Sequence, residues 1–429
     1  MVKFFVLFAF FRGNVLLRLR LSAMYSSRHS AILCAIATLL SSTAPAAEAR
    51  FTQDRLGVGL WVDPPADKEM DVHYAEMAEA NFTFLIGNFG ASSPETVARQ
   101  IALSQKYDLK VIVPMAGQPP DRQPSDPSCW GYFLGDEPGP GAFPGLRTIV
   151  DALRQARPGK LGFINLLPNY APAWALGQTS YVEHVARFVR EVNPDVLSMD
   201  HYPHFLPNAD GRADYCQNLE VMRQQSLAAK IPFWNFFNTM PYGDHSDPTE
   251  AQLRWQIYTS LAYGAKGVMY FCYWTPPGDE FPKGGAIITR SGKRTRHFEE
   301  AKRINGALKH LGPALMKLTS TGVVHCDPKD DPAAILKGSG ISSLSPGDYL
   351  VGSFRHADAR RAVLLNNYHF AYSAWPTVDF DAPTNSVVEV SPVTGQELPV
   401  VDDSPDMPGL QISLDAGQGR LFMLPPLAK

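Results

Sequence analysis

The sequence predicts an α/β protein: a (β/α)8 TIM barrel followed by a small all-β sandwich domain. Three observations lead there. Eight short apolar runs recur between Gly57 and Trp274, most of them separated by stretches of helical periodicity. With its closing helix, that span comes close to the roughly 250 residues such a barrel takes. After Gly312 the helical period stops, and short runs bounded by Gly, Asp and Pro turns take over.

The elements follow in order. The first strand is read at residues 57–62. A helical stretch from Lys68 leads to the second strand at 81–88, and a helix over 94–107 leads to the third at 109–115. The fourth, 132–134, runs directly into Gly135-Asp136-Glu137-Pro138. Helices at 146–156, 181–192, 218–229 and 249–263 precede strands at 161–167, 196–199, 231–237 and 267–274. A last helix covers 296–310. Between Met115 and Cys129 the linker is rich in Gly, Pro and Asp, so the third helix is expected to be missing or irregular. A doubly wound open sheet is the competing architecture. It calls for a Gly-rich phosphate loop after the first strand, where this chain reads Trp61-Val62-Asp63-Pro64-Pro65. The barrel is assigned residues 50–320 and the sandwich 321–429, with strands at 349–354, 361–366, 386–390 and 419–424. The sandwich is read as a stabilising appendage.

Residues 1–49 read as a targeting region. Arg28 and His29 precede an apolar stretch at 31–40, and small residues through Ala49 offer an A-x-A-like cleavage site. Met24 is the expected true start, and the mature chain is expected to begin near 47–51 and to be secreted or periplasmic. No apolar stretch approaches the roughly 20 residues of a spanning helix, so no membrane span is predicted.

The charge balance is 39 Lys and Arg against 42 Asp and Glu, a net of −3. That leaves no basic excess for a phosphate backbone, so nucleic acid is not an expected partner. Of five cysteines, Cys34 lies in the leader, and none of the others forms a C-x-x-C pair. A zinc site is therefore not predicted, and no metal or organic cofactor is implied.

Barrel enzymes carry their chemistry where strands end. Those positions hold Trp61 and Asp63, Asn88, Met115, Asp136 and Glu137, Asn165, then Asp200, His201 and Tyr202. Asn235 and Asn238 follow, then Tyr273 and Trp274. No G-x-S-x-G nucleophile elbow occurs among them. His201 and His204 are three apart in a Pro-containing loop, a weak metal signal. Glu137 is the sharpest candidate. An adjacent Asp136 and partial burial raise a carboxyl pKa, as a general acid requires near neutrality.

The run Trp130-Gly131-Tyr132-Phe133-Leu134-Gly135-Asp136-Glu137-Pro138 resembles the fourth-strand motif of clan A glycoside hydrolases. In that clan an Asn-Glu-Pro carries the acid/base, and here Asp136 replaces the Asn. Residues 253–267, with Tyr270-Phe271-Cys272-Tyr273-Trp274 after them, resemble the seventh helix and eighth strand of family 42 β-galactosidase-type barrels. The resemblance covers most of 55–315 and implies an acid/base role for Glu137 and a place for Trp274 in the substrate floor. The clan also carries a nucleophilic Glu at the end of strand seven, where this chain reads Phe233-Trp234-Asn235-Phe236-Phe237-Asn238-Thr239-Met240. A second carboxylate is therefore sought at Asp200 first, then Glu280 beside Asp279, then Asp63. Trp61, Tyr202, Trp234 and Trp274 suit stacking on sugar faces, with barrel-top packing an equal reading for Trp234 in its apolar run. Asn88, Asn165 and Asn238 suit sugar hydroxyls. Arg254 and Lys266 are read as structural. The expected protein is a secreted glycoside hydrolase acting on an oligo- or polysaccharide. The alternatives are a non-catalytic carbohydrate-binding barrel and a transglycosylase.

Overall fold

The computed structural model describes residues 49–427 apart from 88, 90–92, 207–208, 282–284 and 330. All but Ala49 of the expected targeting region therefore lies outside the described residues, as does Asn88. The described residues belong to one compact unit.

Eight parallel strands form the barrel wall: β1 (Gly57–Leu60), β2 (Phe84–Ile86), β3 (Lys110–Pro114), β4 (Cys129–Asp136), β5 (Leu161–Leu166), β6 (Leu197–Asp200), β7 (Phe233–Asn238) and β8 (Gly267–Phe271). They pair in sequence order, and β8 returns to pair with β1. The seam between β1 and β2 is closed by Thr83, whose N–H donates to Val58 O and whose Oγ1 accepts from Val58 N, each at 2.8 Å. Gly59 faces this seam. A Cβ there would lie 2.3 Å from the Phe84 ring, so the alternating glycines of β1 make room for that ring.

Helices α1 (Met70–Glu79), α2 (Pro94–Lys106), α3 (Phe143–Ala156), α4 (Tyr181–Val192), α5 (Arg212–Ala229), α6 (Glu250–Ala262) and α7 (Arg296–Leu315) surround the wall. Ser93, Ser180 and Thr249 cap three of them, and Thr249 forms a reciprocal capping box with Gln252. Between β3 and β4 the connection is a single 3-10 turn, Pro120–Arg122, as its composition suggests. With no helix there, α2 keeps an open flank, a cavity of about 330 Å3 lined by Val97, Ile101, Met115 and Pro124.

The strands are buried on both faces, so alternate side chains enter different cores. Inward, Phe84, Trp130, Phe163 and Trp234 interlock with ring centroids 5.1–5.9 Å apart. Trp234 Nε1 donates to Gln53 Oε1 at 2.9 Å, and Gln53 Nε2 reaches Lys266 O. Trp234 thus sits at the strands' N-terminal end, in the barrel floor, and the expected sugar-facing position is corrected. Lys266 shares that floor, donating to Leu315 O and Leu318 O.

The chain then forms β9 (Leu318–Cys326), β10 (Ile341–Leu344), β11 (Tyr349–His356), β12 (Arg361–Asn367), β13 (Val378–Phe380), β14 (Val388–Val390), β15 (Glu397–Pro399) and β16 (Gly419–Leu424). Six of these make an antiparallel sheet in the order β15-β14-β16-β12-β11-β9, and β10 pairs with β13. Because β9 starts at Leu318, a boundary at 321 falls inside a strand. Period-2 alternation gives the large sheet two apolar faces. Leu350, Phe354, Leu364 and Leu421 join the core beneath the helices, whereas Val351, Val363, Leu365 and Phe422 join a second core with β10 and β13. Asn366 Nδ2 donates to Tyr258 O at 2.8 Å, and a Cβ on Gly352 would lie 2.5 Å from Ala262 O. The sheet therefore lies directly on α6. Among the described residues, no helix is long and apolar enough to cross a membrane.

Candidate active site

The site is built where three neighbouring strands end. Asp136 is the last residue of β4 and is level with Asn165 in β5, which is level with Ser198 in β6. Asn165 Nδ2 donates to Asp136 Oδ1 at 3.2 Å and to Asp200 Oδ1 at 2.9 Å. Asn165 Oδ1 accepts from Ser198 Oγ at 2.9 Å, consistent with its NH2 facing the acids, which as carboxylates only accept. Glu137 continues the ladder for one more bond, from its N–H to Asn165 O at 2.9 Å, and then leaves the strand with φ +49. That left-handed conformation is uncommon for a residue with a side chain, and Pro138 follows with no N–H to extend the strand.

The three carboxyls share one recess. Asp136 reaches solvent at its edge, but the walls remove much of its hydration. Burial and the charge of Glu137 push its carboxyl up to about 7, against the Asn165 hydrogen bond. Asp200 is 7% exposed and is raised well above the usual carboxylate range, by burial first and then by Glu137 and Asp136. Burial also raises Glu137. Three acids in such a recess do not all ionise at neutral pH, and their protons belong to the cluster.

Phenols wall the recess. Tyr202 packs against Phe271 at 5.3 Å, His245 at 5.6 Å and Tyr242 at 5.8 Å. Tyr170 stands edge-on to His201 at 4.9 Å. Burial raises the hydroxyls of Tyr170, Tyr202 and Tyr242, and the Asp200 charge adds to each. Trp61 closes the barrel core beneath the mouth, with centroids 5.0 Å from Phe236 and 5.5 Å from Phe133.

Of the expected site residues, Asp136, Glu137, Asn165, Asp200 and Tyr202 meet. Others do not. Asn235 turns outward, its Nδ2 donating to Tyr215 Oη at 2.7 Å and Ser260 Oγ at 3.0 Å. Asn238 is consumed by its own loop, donating to Ser246 O and accepting from Met240 N. Tyr273 is fully buried against Phe82 on the α1 side. Trp274 packs on His73 at 4.9 Å and not among the acids. His201 lies behind Tyr170 and pairs through Nδ1 with Asn218 Oδ1; burial lowers it to about 4, so it stays neutral. His204 faces Trp255 and Phe370, away from His201. Asp63 accepts from Phe89 N and Gln100 Nε2, linking the end of β1 to Phe89 and α2. Glu280 and Asp279 are exposed after β8, and the acids that act on Asp200 are Glu137 and Asp136 instead. Arg254 makes the expected structural ion pair, with Glu250 at 3.2 Å.

Strand-end reading missed Tyr170 and Tyr242. Both lie a few residues beyond a strand end, in Leu167-Pro168-Asn169-Tyr170 and Met240-Pro241-Tyr242-Gly243. An aromatic beside Pro in a barrel-top loop was the available signal.

Solved structures share this architecture. A GH42 β-galactosidase from G. stearothermophilus matches in two structures, one a catalytic mutant. Their TM-scores are 0.59 and 0.57 at 9% identity, covering 88% of this chain and 100% of that one. The barrel has the fold of the GH42 β-galactosidases. A β-galactosidase from Bacillus circulans sp. alkalophilus matches with a TM-score of 0.55 at 10% identity, over 86% of this chain and 99% of its own. Against a β-galactosidase from the psychrophilic Marinomonas ef1, the match covers 59% of this chain and only 60% of the relative's length, at 12% identity and TM-score 0.46. No family model and no curated protein matches the sequence. On this shared fold, β7 of the present chain ends at Asn238 with no carboxylate in the strand, and the acids gather on β4 and β6. Among the described residues, no group of three or more His, Cys, Asp or Glu side chains is arranged to hold a metal ion.

Proposed function

We propose that the chain is an exported glycoside hydrolase that cleaves O-glycosidic bonds of an oligo- or polysaccharide, with Glu137 and Asp200 as its working carboxyls. The observation that carries this reading is the Asp136–Glu137–Asp200 cluster, tied by Asn165 at the C-terminal mouth of the barrel. Glycoside hydrolysis needs one carboxyl to protonate the leaving oxygen and another, ionised, to act as nucleophile or to activate water. A cluster whose acids are raised by burial, two of them also by their neighbours' charge, holds protonated and ionised forms together. Glu137 is assigned the acid, on the strand-four position that the sequence resemblance gives it. Asp200 is assigned the second role, because β7 offers no acid.

The test is a panel of aryl glycosides and polysaccharides. Glu137→Gln is expected to cost about 10²–10⁴-fold on substrates with poor leaving groups and less on those with good ones. Asp200→Asn is expected to impair both. Because burial acts hardest on Asp200, one specific alternative is an exchange of roles. Leaving-group dependence at Asp200 and not at Glu137 is its signature. Sugar binding without turnover by the wild-type protein points to the non-catalytic barrel, a reading favoured by the acid-free β7. Export is tested by N-terminal sequencing of protein recovered outside the cytoplasm. A start near 47–51 is expected, and residues 1–23 intact in that material refute it.

A further inference from the structure

Asn165 occupies an unusual place. One amide touches two acids on two different strands, and its own main-chain carbonyl seats the third acid's N–H. The amide's orientation is set from both sides: ionised carboxylates accept only and so take its NH2, while Ser198 Oγ donates to its oxygen from β6. Both Asn165 and Ser198 are fully buried, at 1% and 0% exposure. The two N–H bonds of Asn165 are spent on Asp136 and Asp200.

We propose that Asn165, held by Ser198, is a positioning residue that bridges Asp136 and Asp200 into a pair within the acid cluster and sets the pH range over which that pair stays singly ionised. The proposal rests on the reading of this cluster as the active centre, but its chemistry is independent of any substrate. An amide NH2 offers hydrogen bonds only to an acceptor. It therefore favours the ionised form of each carboxyl it touches and counteracts the burial that favours the neutral form. A two-proton to one-proton step and a one-proton to no-proton step then belong to the pair. The groups facing the pair are Glu137 from the loop after β4, Tyr170 from the loop after β5, Tyr181 from α4, Tyr202 from the end of β6 and Tyr242 from the loop after β7. Apart from Glu137 these are phenols, which remain neutral across the range. The side-chain donor that opposes proton uptake by the pair is the Asn165 amide, helped at Asp200 by that residue's own backbone N–H.

Removing Asn165 Nδ2 is expected to move both steps to higher pH. Removing Ser198 Oγ frees the amide to rotate. Its oxygen then accepts from a protonated carboxyl, which favours the neutral form and moves the steps in the same direction by less. A purely structural role predicts lower stability and no movement of either step.

The experiment is a carboxyl titration by difference infrared spectroscopy on the full chain, for wild type, Asn165→Ala and Ser198→Ala. Asp136→Asn and Asp200→Asn identify the bands. The expected result is an upward move of about one pH unit for Asn165→Ala, and about half that for Ser198→Ala. An unmoved titration in either folded variant overturns the proposal. If Asn165→Ala does not fold, Ser198→Ala, a smaller change, carries the decision alone. On any hydrolysed substrate, the acid limb of the pH dependence of kcat/KM, which the ionised Asp200 sets, is expected to move alkaline with the infrared titration. A protein with no hydrolytic activity but with the infrared shifts intact refutes the glycosidase reading and leaves the role of Asn165 standing. Activity with unmoved titrations does the reverse.

Discussion

Asp136 couples the site to the stability of the fold. Within the acid cluster, burial and the Glu137 charge push its carboxyl up to about 7 in the folded chain, above the ordinary 3.8. Between those values the folded state holds the extra proton, so stability falls as pH climbs from about 4 to 7 and stays lower above that. Asp136→Asn removes this residue's share of the cluster's titration. Thermal melts are expected to show the variant more stable than wild type at pH 8 and close to it at pH 4; equal differences at the two pH values contradict the assignment. The same residues show what was legible in the sequence. Asp136, Glu137, Asn165 and Asp200 all sit at ends of apolar runs, and the rule that barrels work at strand ends brought them together. Asn165 was read as a sugar contact because a sequence does not reveal that two acids from flanking strands use up its amide. Tyr170 and Tyr242 were out of reach for a different reason: loop conformation, not strand position, carries them to the recess.

Elements were easier to find than to orient. Each barrel strand is an apolar run that stands out from the helical stretches around it. A strand buried on both faces has no polar side to mark parity, however. Trp234 and Asn235 are neighbours in β7, and only the fold shows that the first points to the barrel floor and the second to α5 and α6. The missing third helix was visible as composition, since Pro and Gly there remove both donors and helical propensity. The role of α6 was not visible. Its hydrophobic residues run all round the helix because it is covered twice, by β7 and by β11 and β12. Gly352 is the closest approach on the outer side. Gly352→Val is expected to cost about 1–3 kcal/mol by overpacking against the Ala262 carbonyl, read by urea denaturation, with the pH profile of activity unchanged. An unaltered denaturation midpoint shows that the sheet shifts to accept the side chain.

At the scale of the whole molecule, barrel and sandwich share one apolar core through Leu350, Phe354, Leu364 and Leu421. A single calorimetric transition is expected for the described chain. Removing residues 345–429 takes away β11, β12 and β16 and bares the outer face of α6. The remaining barrel is expected to melt far below the intact protein or to aggregate, with its sugar preference unchanged in whatever stays soluble. Unchanged melting with lost polysaccharide binding shows instead that the sandwich is a binding module. The order of the large sheet also sets a timetable for biosynthesis. β16, residues 419–424, lies between β12 and β14, both made earlier. While a ribosome is still translating that stretch, β12 carries an open row of N–H and C=O groups with an exposed apolar face beside it, a template for pairing with the wrong chain. The nascent protein therefore carries this exposed edge until residues 419–424 are in place, and a stop codon before residue 419 produces a chain that keeps that edge permanently open.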